Sequence, residues 1–235
     1  MSGSAWLLVL ALLLVQTGCA RSAADKTPLD RGNTNFSWSD LAKTDVNLFI
    51  ETNQREVIGY IKLLLITLYR RNPNQLLRGT VHHADANVAR VFGSFHNWEF
   101  AELNHLKGVE CIRQAFQDSF DGDRVLAYTV GLGSMVMASY NDKRDFFVLD
   151  SLDPQKLYNS ARNLELALWL LTQEKDQHGN LFLLSNESDG TVRNLSYERL
   201  FGKMIGLQDA LSQVVAQKTK RLIKQAFQFL IFLPI

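Results

Sequence analysis

The sequence predicts an all-α protein, an irregular bundle of roughly six to eight helices. Three observations predict it. Apolar residues recur at three- and four-residue spacing over long stretches; Val57, Ile61, Leu64, Leu65 and Leu68 are one such stripe. Only four prolines occur, and Pro73, Pro154 and Pro234 fall at predicted helix boundaries or the terminus. The 235 residues are 46% hydrophobic and 21% charged, a globular balance at a length that buries a sizeable core.

Element by element, Ser37-Trp38-Ser39-Asp40 reads as a capping box that opens a helical segment ending near Arg71, with Arg70 and Arg71 against the negative helix end. Asn72 and Pro73 are expected to cap and start a short helix that Gly79 stops. Residues 84–92 and 100–120 follow as helices, the second carrying Leu103, Leu106, Val109, Ile112, Ala115, Phe116 and Phe120. Val125–Tyr140 is sixteen residues without a charge, too short for a membrane span, and is expected to be a central core helix. Its Gly131, Gly133 and Ser134 would admit neighbouring helices closely. Asp153 and Pro154 cap a helix to about Lys175, with Leu157, Ala161, Leu164, Leu168 and Leu171 on one face. Residues 176–195 read as a loop with a short strand pair around Leu181–Leu184 and Thr191–Arg193. Ser196 opens a last helix to about Phe229, striped by Leu200, Met204, Leu207, Leu211, Val214 or Val215, Leu222 and Ala226. Its apolar tail, FQFLIFLPI, is expected to pack into the bundle.

The amino terminus bears on location. Trp6–Val15 is a ten-residue apolar run, half of what a membrane span needs and the length of a secretory signal core. It ends in Gln16-Thr17-Gly18-Cys19-Ala20. Here the chain resembles bacterial lipoproteins, whose lipobox sets small residues before an acylated cysteine; Thr17, Gly18 and Cys19 fit, and Gln16 departs from the usual leucine. The resemblance implies a signal peptide at 1–18 and lipid on Cys19. A flexible linker at 19–36 and a single helical domain at 37–235 would then follow. Each buried CH₂ of the acyl chains contributes about 0.8 kcal/mol, so several chains anchor stably. Ala20 after the cysteine, where Asp would favour inner-membrane retention, points to the periplasmic face of the outer membrane. Cys111 is then left without a partner and reads as a buried small hydrophobe. In a periplasm the sequons at Asn35, Asn186 and Asn194 are expected to be inert. Beyond this signal, Leu68–Leu76 (LYRRNPNQL) resembles the helix–turn–helix junctions of tetratricopeptide-type proteins, although no 34-residue period recurs.

No catalytic pattern emerges. Lys+Arg 25 against Asp+Glu 24 leaves a net +1, which provides no electrostatic footprint for nucleic acid. His82, His83, Asp85, His96 and His105 lack the i, i+4 spacing that shares a zinc ion across one helix face. Asp121, Asp123, Asp142, Asp145, Asp150 and Asp153 lack a calcium-loop period and read as caps and turns. Gly131-Leu132-Gly133-Ser134 is neither a nucleophile elbow nor a phosphate loop. No cofactor or metal is expected. The densest polar–aromatic stretch is 141–163, and Arg144, Phe146, Phe147, Tyr158 and Arg162 are its candidate interaction residues, Tyr and Arg being the types that dominate binding hot spots.

The expected function is therefore that of a non-enzymatic envelope lipoprotein, a scaffold or accessory subunit holding a protein partner near the membrane. The alternative is a helical ligand-binding lipoprotein associated with a solute transporter, with an apolar cavity beside Val125–Tyr140 lined by Trp169, Phe147 and Tyr128. An enzyme would need distant side chains to converge, for example His105 on an aspartate.

Overall fold

Among residues 44–93, 96–147, 149–186 and 195–231, which the computed structural model describes (side chains to Arg221), six α-helices and two 3-10 turns occur. The protein is all-α, as its periodicity predicts. Helix α1 (Asp45–Arg71) begins at Thr44, whose hydroxyl accepts the Asn47 N–H at 3.3 Å. The Val57, Ile61, Leu64, Leu65, Leu68 stripe is wholly buried, and Arg70 and Arg71 occupy the last turn. The Ser37–Asp40 box, Cys19 and the linker lie outside the described residues.

Asn72 occupies the N-cap of the following turn, its carbonyl accepting the Gln75 N–H at 3.1 Å, but its side chain makes no bond into that turn. Its amide closes α1 by donating to the Leu68 carbonyl at 2.9 Å, and it also donates to the Leu184 carbonyl at 2.9 Å and accepts the Leu184 N–H at 2.8 Å. An asparagine side chain mimics a peptide group, so here it pairs with an extended segment as a strand neighbour would. Pro73–Arg78 is a 3-10 turn, and α2 (Ala84–Phe92) follows where expected.

The expected single helix over 100–120 is broken. Ala101–Leu103 is one 3-10 turn, Asn104 and His105 take left-handed φ of 54° and 58°, and α3 is confined to Gly108–Gln114. The break lets the backbone at Gly108, itself at φ 58°, reach the central helix, where its N–H donates to Ser134 Oγ at 2.8 Å.

That central helix, α4 (Arg124–Ser139), is buried at every residue but Ala138. The small residues act as the sequence implies: a Cβ on Gly131 would lie 2.7 Å from the Ile112 backbone nitrogen, and one on Gly133 2.3 Å from the Trp98 ring. Helices α1, α3 and α5 (Pro154–Gln173) surround α4, and α6 (Ser196–Ile231) runs against α5 and α1. Asp153 caps α5 by accepting the Gln155 N–H at 2.8 Å. Buried Gln208 of α6 ties the layers together: it accepts from Tyr140 at 3.0 Å and donates to Ser160 at 3.1 Å and Ser139 at 3.3 Å.

Between α5 and α6 the expected strand pair is not formed by Leu181–Leu184. Leu181 makes a lone antiparallel bridge with Lys175 across a turn in which Asp176 accepts the N–H groups of His178 and Asn180, both at 2.9 Å. Local aspartate hydrogen bonds close this loop before a ladder can lengthen. Thr191–Arg193 and the side chains of the apolar tail lie outside the described residues.

Candidate interaction face and adjoining cleft

The 141–163 stretch divides between core and surface. Phe146 is a core residue, 1% exposed, its ring 6.2 Å from that of Tyr140 and its N–H donated to Glu51 at 2.9 Å, so it is not part of a surface. Phe147 is exposed, and its N–H donates to Asp150 at 2.9 Å. Lys143 pairs with the same carboxylate and holds its pKa below the ordinary range. Tyr158 and Arg162 stand on the outer face of α5, the guanidinium 5.0 Å from the Tyr158 ring centre and bonded to Asp209 of α6 at 2.6 Å.

This outer face continues where the sequence reading did not look. Positions 158, 162, 166 and 169 fall within about 80° on a helix turning 100° per residue. Leu166 is 44% and Trp169 53% exposed, beside Tyr158 at 46%. The face is thus a ladder of Tyr158, Arg162, Leu166 and Trp169, with the arginine held in place by Asp209 and by Glu165 at 3.2 Å. The signal was present as a second stripe, opposite the Leu157–Leu171 stripe that faces inward.

Arg144 stands elsewhere, on the rim of a cleft of about 340 Å³ between α1, α2, the end of α4 and the α4–α5 turn. Val91, Trp98 and Met137 form its buried floor; Glu51, Arg55, Arg144 and Asp145 form its rim. Trp98 sits at a left-handed φ of 59°, unusual for so bulky a residue. His96 holds it there: Nδ1 accepts the Trp98 N–H at 2.9 Å, which leaves Nε2 to donate to the Val91 carbonyl at 2.7 Å. With both ring nitrogens occupied His96 is no metal ligand, and His82 is bonded to the Leu76 carbonyl at 2.9 Å. No three His, Cys, Asp or Glu side chains among the described residues gather to hold a metal. The expected cavity of Trp169, Phe147 and Tyr128 is not formed. Tyr128 is fully buried, with its hydroxyl donated to the Ala167 carbonyl at 2.8 Å, whereas the other two are exposed.

The most perturbed carboxyl is Asp123, the N-cap of α4. It accepts the Tyr69 hydroxyl at 2.6 Å and the Leu126 N–H at 3.0 Å; Tyr69 in turn accepts from Asn87 at 3.0 Å, and Asn87 from Arg90 at 2.9 Å. Arg90 ends the chain as a two-pronged pair with Glu102, at 2.6 and 3.1 Å. Burial of Glu102 opposes its ionisation, but hydrogen bonds from Arg90 and Thr80 hold its carboxyl below the ordinary range. Burial dominates at Asp123 and pushes its carboxyl up to about 6, against the opposing bonds from Tyr69 and the helix N–H groups. The folded state therefore holds this proton more tightly than the unfolded chain. Asp123 costs stability progressively as pH rises through about 4 to 6, by about 3 kcal/mol in all. Asp123→Asn is expected to lack this loss: urea midpoints across that window should converge at low pH and separate by pH 7 in favour of the variant's relative stability. Parallel pH profiles would show that Asp123 does not titrate there. Cys111, buried against the Ala127 carbonyl at 3.2 Å, has its thiol pushed up to about 12 by desolvation, which suits a packing residue and not a nucleophile.

The described residues thus define a helical domain with one exposed aromatic–cationic helix face and one charged-rimmed cleft. No family model, curated protein or solved structure matches the chain. No helix among the described residues is long and apolar enough to cross a membrane.

Proposed function

We propose that this chain is a lipid-anchored accessory protein of the bacterial envelope, tethered through acylated Cys19 to the periplasmic face of the outer membrane. In this reading it holds a protein partner by the outer face of α5. The observation that carries the reading is the ladder of exposed Tyr158, Leu166 and Trp169, with half-buried Arg162 among them, along three turns of a helix whose opposite side is core. Anchors at i, i+4, i+8 and i+11 are what a helix offers to an apolar groove. Tyr, Trp and Arg are the types that carry most interface energy, and the Asp209 pair fixes the arginine before a partner arrives. The amino-terminal lipobox resemblance supports the anchor.

The test is crosslinking and co-purification from cell envelopes of wild type, Trp169→Asp and Cys19→Ala. A stoichiometric partner lost in Trp169→Asp, with the helical circular dichroism unchanged, supports the docking face. Loss of membrane association in Cys19→Ala supports the anchor. A partner retained by Trp169→Asp and by Tyr158→Ala/Leu166→Ala together overturns the α5 reading.

A further inference from the structure

Beyond Val215, α6 continues as a basic amphipathic sequence, and we infer that this end of the helix docks on the surface of an anionic lipid bilayer. Among the side chains described, Val215 is the last of α6 that the bundle buries. The helix runs on from there to Ile231, about 24 Å at 1.5 Å per residue. Helices α1 and α5, which pack on α6, start at this end and run the other way. Asn53 of α1 donates to the Leu207 carbonyl at 2.9 Å, and Tyr197 of α6 to the Thr67 carbonyl at 3.3 Å, while Arg162 of α5 bonds Asp209. Val46, in the first turn of α1, lines a groove with Val214 and Lys218. Leu152, just before α5, lines another with Val215 and Thr219. Neither helix accompanies α6 any further.

The sequence of this stretch sorts by helix face. At about 100° per residue, Lys218, Lys220, Arg221 and Lys224 fall in one arc of about 160°, with Gln217, Gln225 and Gln228 among them. Leu222, Ile223, Ala226, Phe227, Phe229 and Leu230 fill the opposite arc, which continues the register of buried Leu211 and Val215. Thr219 and Ile231 are the exceptions, and the Thr219 hydroxyl is already donated to the Val215 carbonyl at 3.0 Å. No Asp or Glu follows Asp209 in the sequence. Cations on one face and Leu, Ile and Phe on the other are what lets a helix lie in a membrane interface, apolar side chains among the acyl chains and cations over the headgroups. The stretch is too short to cross an apolar layer about 30 Å thick, so it lies along the surface. Charge selects the lipid, because each cation near an anionic surface raises partitioning about fivefold. A protein groove would engage the apolar arc alone. Asp150, which lines a groove with Lys218, is already paired with Lys143. Leu48, Phe49 and Leu149 are exposed at this end, and the chain from Cys19 enters the bundle there through Thr44. Exposed leucines also occur at the other end, at Leu77 and Leu195, so the charge pattern of α6 is what decides.

The test is co-sedimentation of the full-length Cys19→Ala chain with vesicles of phosphatidylcholine alone and of phosphatidylcholine mixed with phosphatidylglycerol. The inference does not rest on acylation, and the amino-terminal apolar run is common to every variant compared. The parent chain is expected to partition on the order of a hundredfold better onto the anionic vesicles, and to lose that preference at high salt. Lys220→Gln/Arg221→Gln/Lys224→Gln is expected to lower partitioning onto anionic vesicles by about a hundredfold, with the melting curve unchanged. Phe227→Ser/Leu230→Ser is expected to lower it by a similar factor, again without a change in melting. Equal partitioning of the parent and the glutamine variant onto anionic vesicles overturns the inference. So does a serine variant that binds them as the parent does. A lower melting temperature in that variant would then place the apolar arc inside this chain's own bundle, and loss of a dimer would place it against a second copy. None of these outcomes bears on the lipid at Cys19 or on partner capture by α5.

Discussion

Replacing Arg124 with methionine is expected to destabilise the domain by on the order of 4 kcal/mol. The side chain is 6% exposed and stands at the first residue of α4. Its guanidinium donates to three carbonyls of the α3–α4 connection: Ala115 at 2.7 Å, Gln117 at 2.8 Å and Phe120 at 2.7 Å. It also lies 4.7 Å from the Phe182 ring centre and 5.7 Å from that of Phe120, which closes the connection against the α5–α6 loop. A planar fork with five donors is the one side chain that can reach all three carbonyls at once. Methionine restores the apolar stem but leaves buried carbonyls without a donor. Lysine brings charge without the fork and is expected to recover only part of the loss. At about 2–4 °C per kcal/mol for a domain of this size, the methionine variant should melt on the order of 10 °C lower. A loss below 1 kcal/mol in urea titration would mean that water replaces the guanidinium and that the connection is not held by it.

Arg124 also shows where the sequence was silent. An arginine before an uncharged run reads as a solvated helix end, because its burial depends on residues 115 to 120 folding back over it and on Phe182 far along the chain. Helices α1, α4, α5 and α6 were legible because each buries one regular stripe, or in α4 nearly all of itself, and periodicity reports that directly. The break at Asn104 and His105 was not legible: an asparagine tolerates left-handed backbone without any flanking proline to announce it. Phe146 was misplaced for a related reason, since a turn has no period from which to tell inward from outward. The cleft draws on residues 51 to 145 and exists only through their convergence. The α5 face, by contrast, could have been found: Tyr158, Leu166 and Trp169 repeat at helical spacing on the side opposite the core stripe.

Gly131 and Gly206 separate packing from propensity within one protein, and they should respond to alanine with opposite signs. Both lie inside helices, where alanine is intrinsically better by about 1 kcal/mol. At Gly206, on the open side of α6, a Cβ meets nothing within 4 Å, so Gly206→Ala is expected to stabilise by about 0.5–1 kcal/mol. At Gly131 the same carbon would lie 2.7 Å from both the nitrogen and Cγ1 of Ile112 and 2.9 Å from the Gly108 carbonyl oxygen. Two of these three atoms are backbone of α3 and of the residue that starts it, so no rotamer change relieves the clash and α3 must move off α4. That movement breaks the Gly108 N–H bond to Ser134 and opens the packing around Cys111 and Ile112. Gly131→Ala is therefore expected to cost on the order of 3 kcal/mol net of propensity, and Gly131→Val more. Urea titration of both alanine variants measures the difference directly. Stabilisation at both sites would mean that α3 rides loosely on the central helix, and that the small residues of α4 are there for some reason other than close approach.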